Sequence, residues 1–216
     1  MKASKKQMIF SILLCLLPIL LGLYLWNDLP AEVPTHFDIN NNPNGYSDKA
    51  FAVFALPCIM AGLDALCLFG LRTDPKAHKQ SKVLAHIMLW FIPALSCVLM
   101  PICLFAALGK KIDIALFCQI MFGVLFIVIG NYLPKCRQNY TMGIKLPWTL
   151  HDEDNWNYTH RLGGFVWVLG GIAALINAWI GSAIVFFVII FLMIGIPTVA
   201  SYCYERRHKS DRGGKK

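Results

Sequence analysis

Residues Gly130 to Gly164 read GNYLPKCRQNYTMGIKLPWTLHDEDNWNYTHRLGG, a polar and aromatic stretch set between segments that are almost pure hydrocarbon. A chain that merely turned round at a membrane surface would use a short charged loop. Here the connection takes roughly 25 residues, against the about 2–8 of an ordinary helix–helix join. Its asparagines, its Pro-Trp-Thr, its three consecutive acids and its Thr-His-Arg mark it as a specific element.

Working outward, apolar runs flank it at about 113–133 and 162–179, and others lie at about 8–26, 51–71, 84–108 and 183–204. Each approaches or exceeds the roughly 20 helical residues that cross about 30 Å of hydrocarbon. With 57% hydrophobic and 15% charged residues, the 216-residue chain is no ordinary soluble domain. The fold class expected is all-α and integral to the membrane, a six-transmembrane-helix bundle. The first run is read as a retained helix, because it is long for a signal peptide and no small-x-small cleavage site follows it.

The net charge of +8 does not point to nucleic acid, because the basic residues gather at helix ends. With both termini cytoplasmic, the inner segments hold Lys2, Lys5, Lys6; Arg72, Lys76, Lys79, Lys82; Lys135, Arg137, Lys145, Arg161; and Arg206, Arg207, Lys209, Arg212, Lys215, Lys216. Only Lys49, Lys110 and Lys111 of the 20 lysines and arginines fall outside, as the positive-inside rule requires. Membrane lipids are the expected partner and direct nucleic-acid binding is not expected. The eight cysteines show no disulfide framework and no metal-ligand spacing, so neither metal nor cofactor is expected.

Every run but the fifth carries or ends near a proline: Pro18, Pro57, Pro93 and Pro101, Pro134, Pro197. Such breaks are tolerated in membranes where neighbours satisfy the freed carbonyls. Gly170, Ala174, Ala178 and Ser182 form a stripe of small residues suited to close helix packing.

A second long connector, NDLPAEVPTHFDINNNPNGYSDK at 27–49, lies on the outer side. Its prolines impose extended backbone, and Asn40 to Gly45 is dense turn chemistry. His36 and Asp38 alone do not make a metal site, which needs three or four ligands. The loop reads as structural or as a recognition surface for a peptide, and its acids Asp28, Glu32, Asp38 and Asp48 favour a cationic partner. In the inner connector, Thr149 to Trp156 reads as a helix capped by Thr149 and lying at the interface, with Trp148 and Trp156 in the headgroup layer. Membrane-buried Asn131 and Asn139 would need partners. The stretch is a cap locking two spans together or a docking surface, and its titratable groups specify no reaction, so no enzyme is expected. Asp64, the sole carboxylate inside a span, is a functional candidate. Its expected partners are His86 or inner polar groups, unless it reaches water or Arg72.

The outer LPAEVPTHFDINNNPNGYSDK resembles the DUF1648 pattern, a Pro–His-Phe–Asn–Gly–Lys loop after a first membrane helix. The inner stretch resembles the signature of the SdpI immunity-protein family: Gly-Asn-x-x-Pro-Lys, then Asn-x-x-x-Gly-Ile, Pro-Trp-Thr-Leu, a Trp and a Thr-His. Lys145 stands where that family commonly has Arg. The resemblance divides the chain into a DUF1648-like region (1–71), an SdpI-like membrane region (84–204) and a basic cytoplasmic tail (205–216). It implies a multi-pass bacterial inner-membrane protein giving resistance to a secreted toxic peptide, and signalling by holding a winged-helix repressor at the membrane. By that resemblance His36, Phe37, Asp38, Asn44 and Gly45 face the peptide. Asn131, Pro134, Lys135, Asn139, Gly143, Pro147, Trp148, Thr149, Trp156, Thr159 and His160 couple to the cytoplasmic partner, and no catalytic residues are implied. The alternative reading is a small ion-coupled transporter using Asp64.

Overall fold

Among the described residues, six helices are long and apolar enough to cross a membrane: Lys5–Tyr24, Phe51–Thr73, Lys82–Ala107, Ile114–Lys135, Glu153–Ile180 and Ala183–His208. They belong to a computed structural model that describes residues 4–38, 40–76 and 82–213, with side chains as far as 208. Lys2, Lys79, Lys215 and Lys216 of the charge count lie outside these residues, and so do the side chains of Lys209 and Arg212. The chain forms two compact units, residues 1–73 with 85–114, and 74–84 with 115–216.

In the first unit, α1 (Lys5–Cys15) starts from a capping box between Ser4 and Gln7. It breaks before α2 (Pro18–Tyr24) because Pro18 has no N–H for the Leu14 carbonyl. That carbonyl takes the Leu17 N–H at 3.1 Å and the Cys97 thiol at 3.5 Å, while the Cys15 carbonyl takes the Ser96 hydroxyl at 2.8 Å. A π turn at Phe51–Ala55 leads into α3 (Leu56–Thr73), and α4 (Lys82–Ala107) follows. A Cβ on Gly22 would lie 2.5 Å from Val53 Cγ1, so α2 packs directly on the π turn. Leu25, Leu29, Val33, Ala52, Val53 and Leu104 form the core under the outer connector.

The all-α expectation holds for the spans, but the outer connector is a β-hairpin. Strand β1 (Glu32–Phe37) pairs antiparallel with β2 (Pro43–Asp48), bulged around His36. Val33, fully buried, anchors it to the core. The left-handed residue is Asn41 (φ 65°) and the Asn44-Gly45 pair lies inside β2, so the turn falls earlier than the Asn-Gly signal suggested. Pro34 disguised the strand, yet with one neighbour only it forfeits little.

The second unit holds α5 (Ile114–Tyr132), a 3-10 turn at Leu133–Lys135, the short α6 (Pro147–His151), α7 (Glu153–Ile180) and α8 (Ala183–Gly213). Helix α7 begins nine residues before the expected span, and Asp152, not Thr149, caps it, accepting from the Asp154 and Asn155 N–H groups at 2.9 and 3.1 Å. One face of the first turns of α7, Asn155, Trp156, Thr159 and His160, is buried by protein, while Glu153, Asp154, Asn157 and Tyr158 stay exposed.

Two glycine pairs set the α5–α7 spacing. A Cβ on Gly171 would lie 2.7 Å from the Gly123 carbonyl oxygen, and one on Gly164 the same distance from that of Gly130. The pairs are seven residues apart on each antiparallel helix, so two backbones touch along one seam. The small stripe on α7 also serves packing inside the chain: Gly170 is filled by Met193 of α8, and Ala174 and Ala178 are buried.

Gly171→Ala therefore overpacks the seam, and a loss of about 1–3 kcal/mol is expected. The melting midpoint in detergent should fall, whereas Gly62→Ala, with open space around it, should leave the midpoint unchanged or raise it. Equal midpoints for the two variants would contradict the seam.

Candidate functional site

The five outer residues do come together. His36 sits opposite Gly45 in the hairpin register, and its Nδ1 lies 2.5 Å from Asn44 Oδ1. A Cβ on Gly45 would stand 2.8 Å from that of His36, so the close cross-strand approach needs glycine. Asp38 Oδ1 accepts the Asn42 and Asn40 N–H groups at 2.8 and 2.9 Å, closing the turn. The Asn42 N–H, ahead of that of Asn40, holds this carboxyl below the usual range, even though the group is exposed. Asn41 fixes the turn to the segment before α5: its amide donates to the Ile112 carbonyl at 2.8 Å and accepts from the Ile114 N–H at 3.0 Å. Phe37 lines an open cleft of about 650 Å³ together with Asn40–Pro43 and Gly109–Ile114. Lys49 donates to the Trp26 and Leu29 carbonyls and covers the Trp26 ring, tying the hairpin base to α2.

The inner connector is a folded knot. Asn139, fully buried, accepts the Met142 and Thr141 N–H groups at 2.6 and 2.9 Å and donates to the Arg137 carbonyl at 2.8 Å. Gly143, at φ 106°, turns the chain where a methyl would run into His160 Nε2. That nitrogen accepts the Ile144 N–H at 3.0 Å, and Nδ1 donates to the Trp156 carbonyl at 2.8 Å, an arrangement that specifies a neutral ring with its proton on Nδ1. Trp156 stacks on His160 at 4.0 Å and donates to the Cys136 carbonyl at 2.7 Å. It is wholly buried, contrary to the headgroup placement expected for it. The indole needs one partner, and the connector carbonyl provides it.

Thr149 accepts the Leu146 N–H at 2.9 Å, so it serves the start of α6 rather than capping a helix that follows it. Pro147 opens α6. Trp148, half-buried, donates to Ser201 Oγ at 2.8 Å and packs against Tyr202. Thr159 bonds Asn155, whose amide also binds Ser201, so α7 and α8 are joined by a buried polar cluster. Pro134 packs on Gly164, and Lys135 lies over the Tyr132 ring. Asn131 is exposed, outside this network, so the buried position expected for it is corrected.

Several supporting residues escaped the sequence reading. Asp74 accepts the Tyr140 N–H at 3.0 Å and the Thr141 hydroxyl at 2.5 Å. It is the one acid in the basic 72–83 segment, an oddity that was legible. Gln138 donates to the Thr149 and Leu150 carbonyls and accepts from Lys76 at 2.7 Å. Burial pushes the Cys136 thiol up to about 11, against a smaller opposing pull from Asn139. Asp64 is 0% exposed and does not reach water, and Ser11 of α1 is its partner at 2.6 Å. Among the described residues no group of three or more His, Cys, Asp or Glu is placed to hold a metal ion.

Residues 135–201 match the SdpI/YfhL protein family, and residues 13–61 match a domain of unknown function, DUF1648. Among curated proteins, the immunity protein SdpI of Bacillus subtilis (strain 168) is 29% identical over 215 residues, covering 96% of this chain and 100% of that protein. No solved structure matches.

Trp156→Phe keeps an aromatic ring, though a smaller one, and removes the donor to the Cys136 carbonyl, and a destabilisation of about 1–3 kcal/mol is expected in a thermal melt. The Cys136 thiol should resist maleimide at neutral pH and react only after unfolding or as the pH nears its raised value of about 11. Its proton is bound more tightly in the folded state, so its contribution to stability is complete below the ordinary thiol value of 9.0 and lost between there and about 11. Rapid labelling of Cys136 in the folded protein at neutral pH would refute the buried knot.

Proposed function

We propose that this SdpI-family protein, a multi-pass protein of the cell membrane, gives its bacterium immunity to a secreted toxic peptide and signals its presence inward. The observation that carries the reading is similarity to an immunity protein along the whole of that protein's length. With the termini cytoplasmic, the hairpin between the first two spans faces outward and the knot between the fourth and fifth faces the cytoplasm.

The hairpin supports recognition of a cationic, apolar peptide. Glu32 and Asp48 are exposed and face each other directly across the strands, an arrangement that repels unless a cation lies between. Beside them Tyr46 and Phe51 are also exposed, and the group lines a pocket of about 340 Å³. His36 and Asp38 hold the turn that presents this surface. Their hydrogen bonds fit positioning rather than catalysis, which favours a receptor over an enzyme.

The knot supports coupling. It joins the exit of α5 to α6, α7 and α8, so a shift of those helices is felt on one cytoplasmic surface. A winged-helix repressor held there is the proposed partner. The peptide would have to bind two arrangements of the helices with different affinity to drive such a signal.

In a Bacillus subtilis strain deleted for its own SdpI and challenged by its wild-type siblings, the chain should restore survival. His36→Ala with Asp38→Ala should abolish protection at unchanged membrane level, whereas Asp38→Asn, which keeps the acceptor, should hold the turn. Full protection by the double variant would remove the hairpin from the account. Trp148→Ala should spare protection and lose partner recruitment. Alkaline phosphatase fused at 109–113 or at 181–182 should be active and fused at the C-terminus inactive, the reverse pattern overturning the orientation.

A further inference from the structure

Asp64 lies near the middle of α3, wholly buried, and neither recognition nor coupling makes use of it. A carboxylate at this depth is costly to keep. Its surroundings come from three helices of one unit. Oδ2 lies 2.6 Å from Ser11 Oγ of α1, and that oxygen lies 2.7 Å from the Leu89 carbonyl oxygen of α4. The Leu89 carbonyl needs a donor because the residue four positions on, Pro93, has no N–H to give it. Asp64 Oδ1 is buried with no hydrogen-bond partner among the described residues.

Each of these two oxygen–oxygen distances calls for a proton between the atoms. The Ser11 hydroxyl supplies one, and the proline-freed carbonyl of Leu89 requires it. The proton of the 2.6 Å contact is then left to Asp64. We propose that Asp64 is a proton-binding site, a clasp in which its carboxyl donates to Ser11 and Ser11 donates to Leu89, fastening α1, α3 and α4 together. When the proton leaves for water, the carboxylate takes the serine hydroxyl for itself, Leu89 loses its donor, and an uncompensated charge is buried. Both spans that flank the outer hairpin, Lys5–Tyr24 and Phe51–Thr73, contribute to this clasp through α1 and α3. A metal ion fits poorly: oxygens gathered at about 2.3–2.6 Å around a calcium ion stand further apart than hydrogen-bonded ones do. Nearby titratable groups on the packed helices are the thiols of Cys15 on α1 and Cys97 on α4, with His86 of α4 exposed.

The test is an infrared difference spectrum, wild type minus Asp64→Asn, of the full chain in lipid bilayers at neutral pH. A carbonyl stretch of a protonated carboxylic acid should appear, shift in D2O, and shift again in Ser11→Ala, where the acid loses its acceptor. On raising the pH of the wild type alone, the band should fade together with a fall in melting midpoint, a readout that survives even if Asp64→Asn fails to fold. Carboxylate bands in place of the acid band at neutral pH would overturn the proposal. So would conversion of the acid band to carboxylate on adding sodium or calcium chloride, or a midpoint that stays constant while the band fades.

Discussion

Gly130 and Gly164 let the backbones of α5 and α7 approach closer than any side chain would permit, and the connector between them depends on that spacing. A Cβ on Gly164 would also lie 2.6 Å from Pro134 Cδ, so the 3-10 turn after α5 is pressed against the same point. A Cβ on Gly163 would stand 2.8 Å from Ile144 Cδ1, which brings the far limb of the connector onto the same face of α7. With both limbs held there, Trp156 and His160 reach the carbonyl of Cys136 and the N–H of Ile144. Any side chain at the seam would move these partners apart and leave buried polar groups unmatched, each costing about 1–3 kcal/mol.

The same requirement, that no backbone polar group be left unmet in hydrocarbon, explains the prolines. Each proline inside a helix frees the carbonyl four residues earlier, and side chains of neighbouring helices meet three of them. The Cys97 thiol serves the carbonyl freed by Pro18, Ser11 that freed by Pro93, and Trp167, at 3.1 Å, the Met193 carbonyl freed by Pro197. The breaks are thus points of attachment between helices. They need no pore to account for them.

The six spans were legible because length and hydropathy suffice for that judgement. The start of α7 was not. Asp152 to His160 carry loop chemistry by composition, and the helix is marked there only by the Asp152 cap and by one face, Asn155, Trp156, Thr159 and His160, that packs into the protein. Trp156 misled for a related reason: an indole suits the headgroup layer and a dry pocket equally, and the deciding partner, the Cys136 carbonyl, is a backbone atom invisible to composition. The hairpin hid behind Pro34 and a run of asparagines, and Glu32 to Phe37, bulged around His36, lacks the clean alternation of a regular strand. Asp74 and Ser11 were missed because a lone acid and a lone serine gain meaning only from what stands opposite. Of the motif residues, His160, Asn139 and Gly143 each hold a hydrogen bond or a turn, a structural part that the motif alone did not specify.

The two connectors hold their shape by different physics: an exposed hairpin pinned by Asp38 and Asn41, and a buried knot pinned by Asn139 and His160. The knot is best measured by amide hydrogen exchange. The N–H groups of Met142 and Ile144 bond to Asn139 and His160 side chains inside the protein, so they should exchange as slowly as helical amides and speed up together in Asn139→Ala. Exchange of the 136–152 segment at the rate of an unstructured loop would contradict the account.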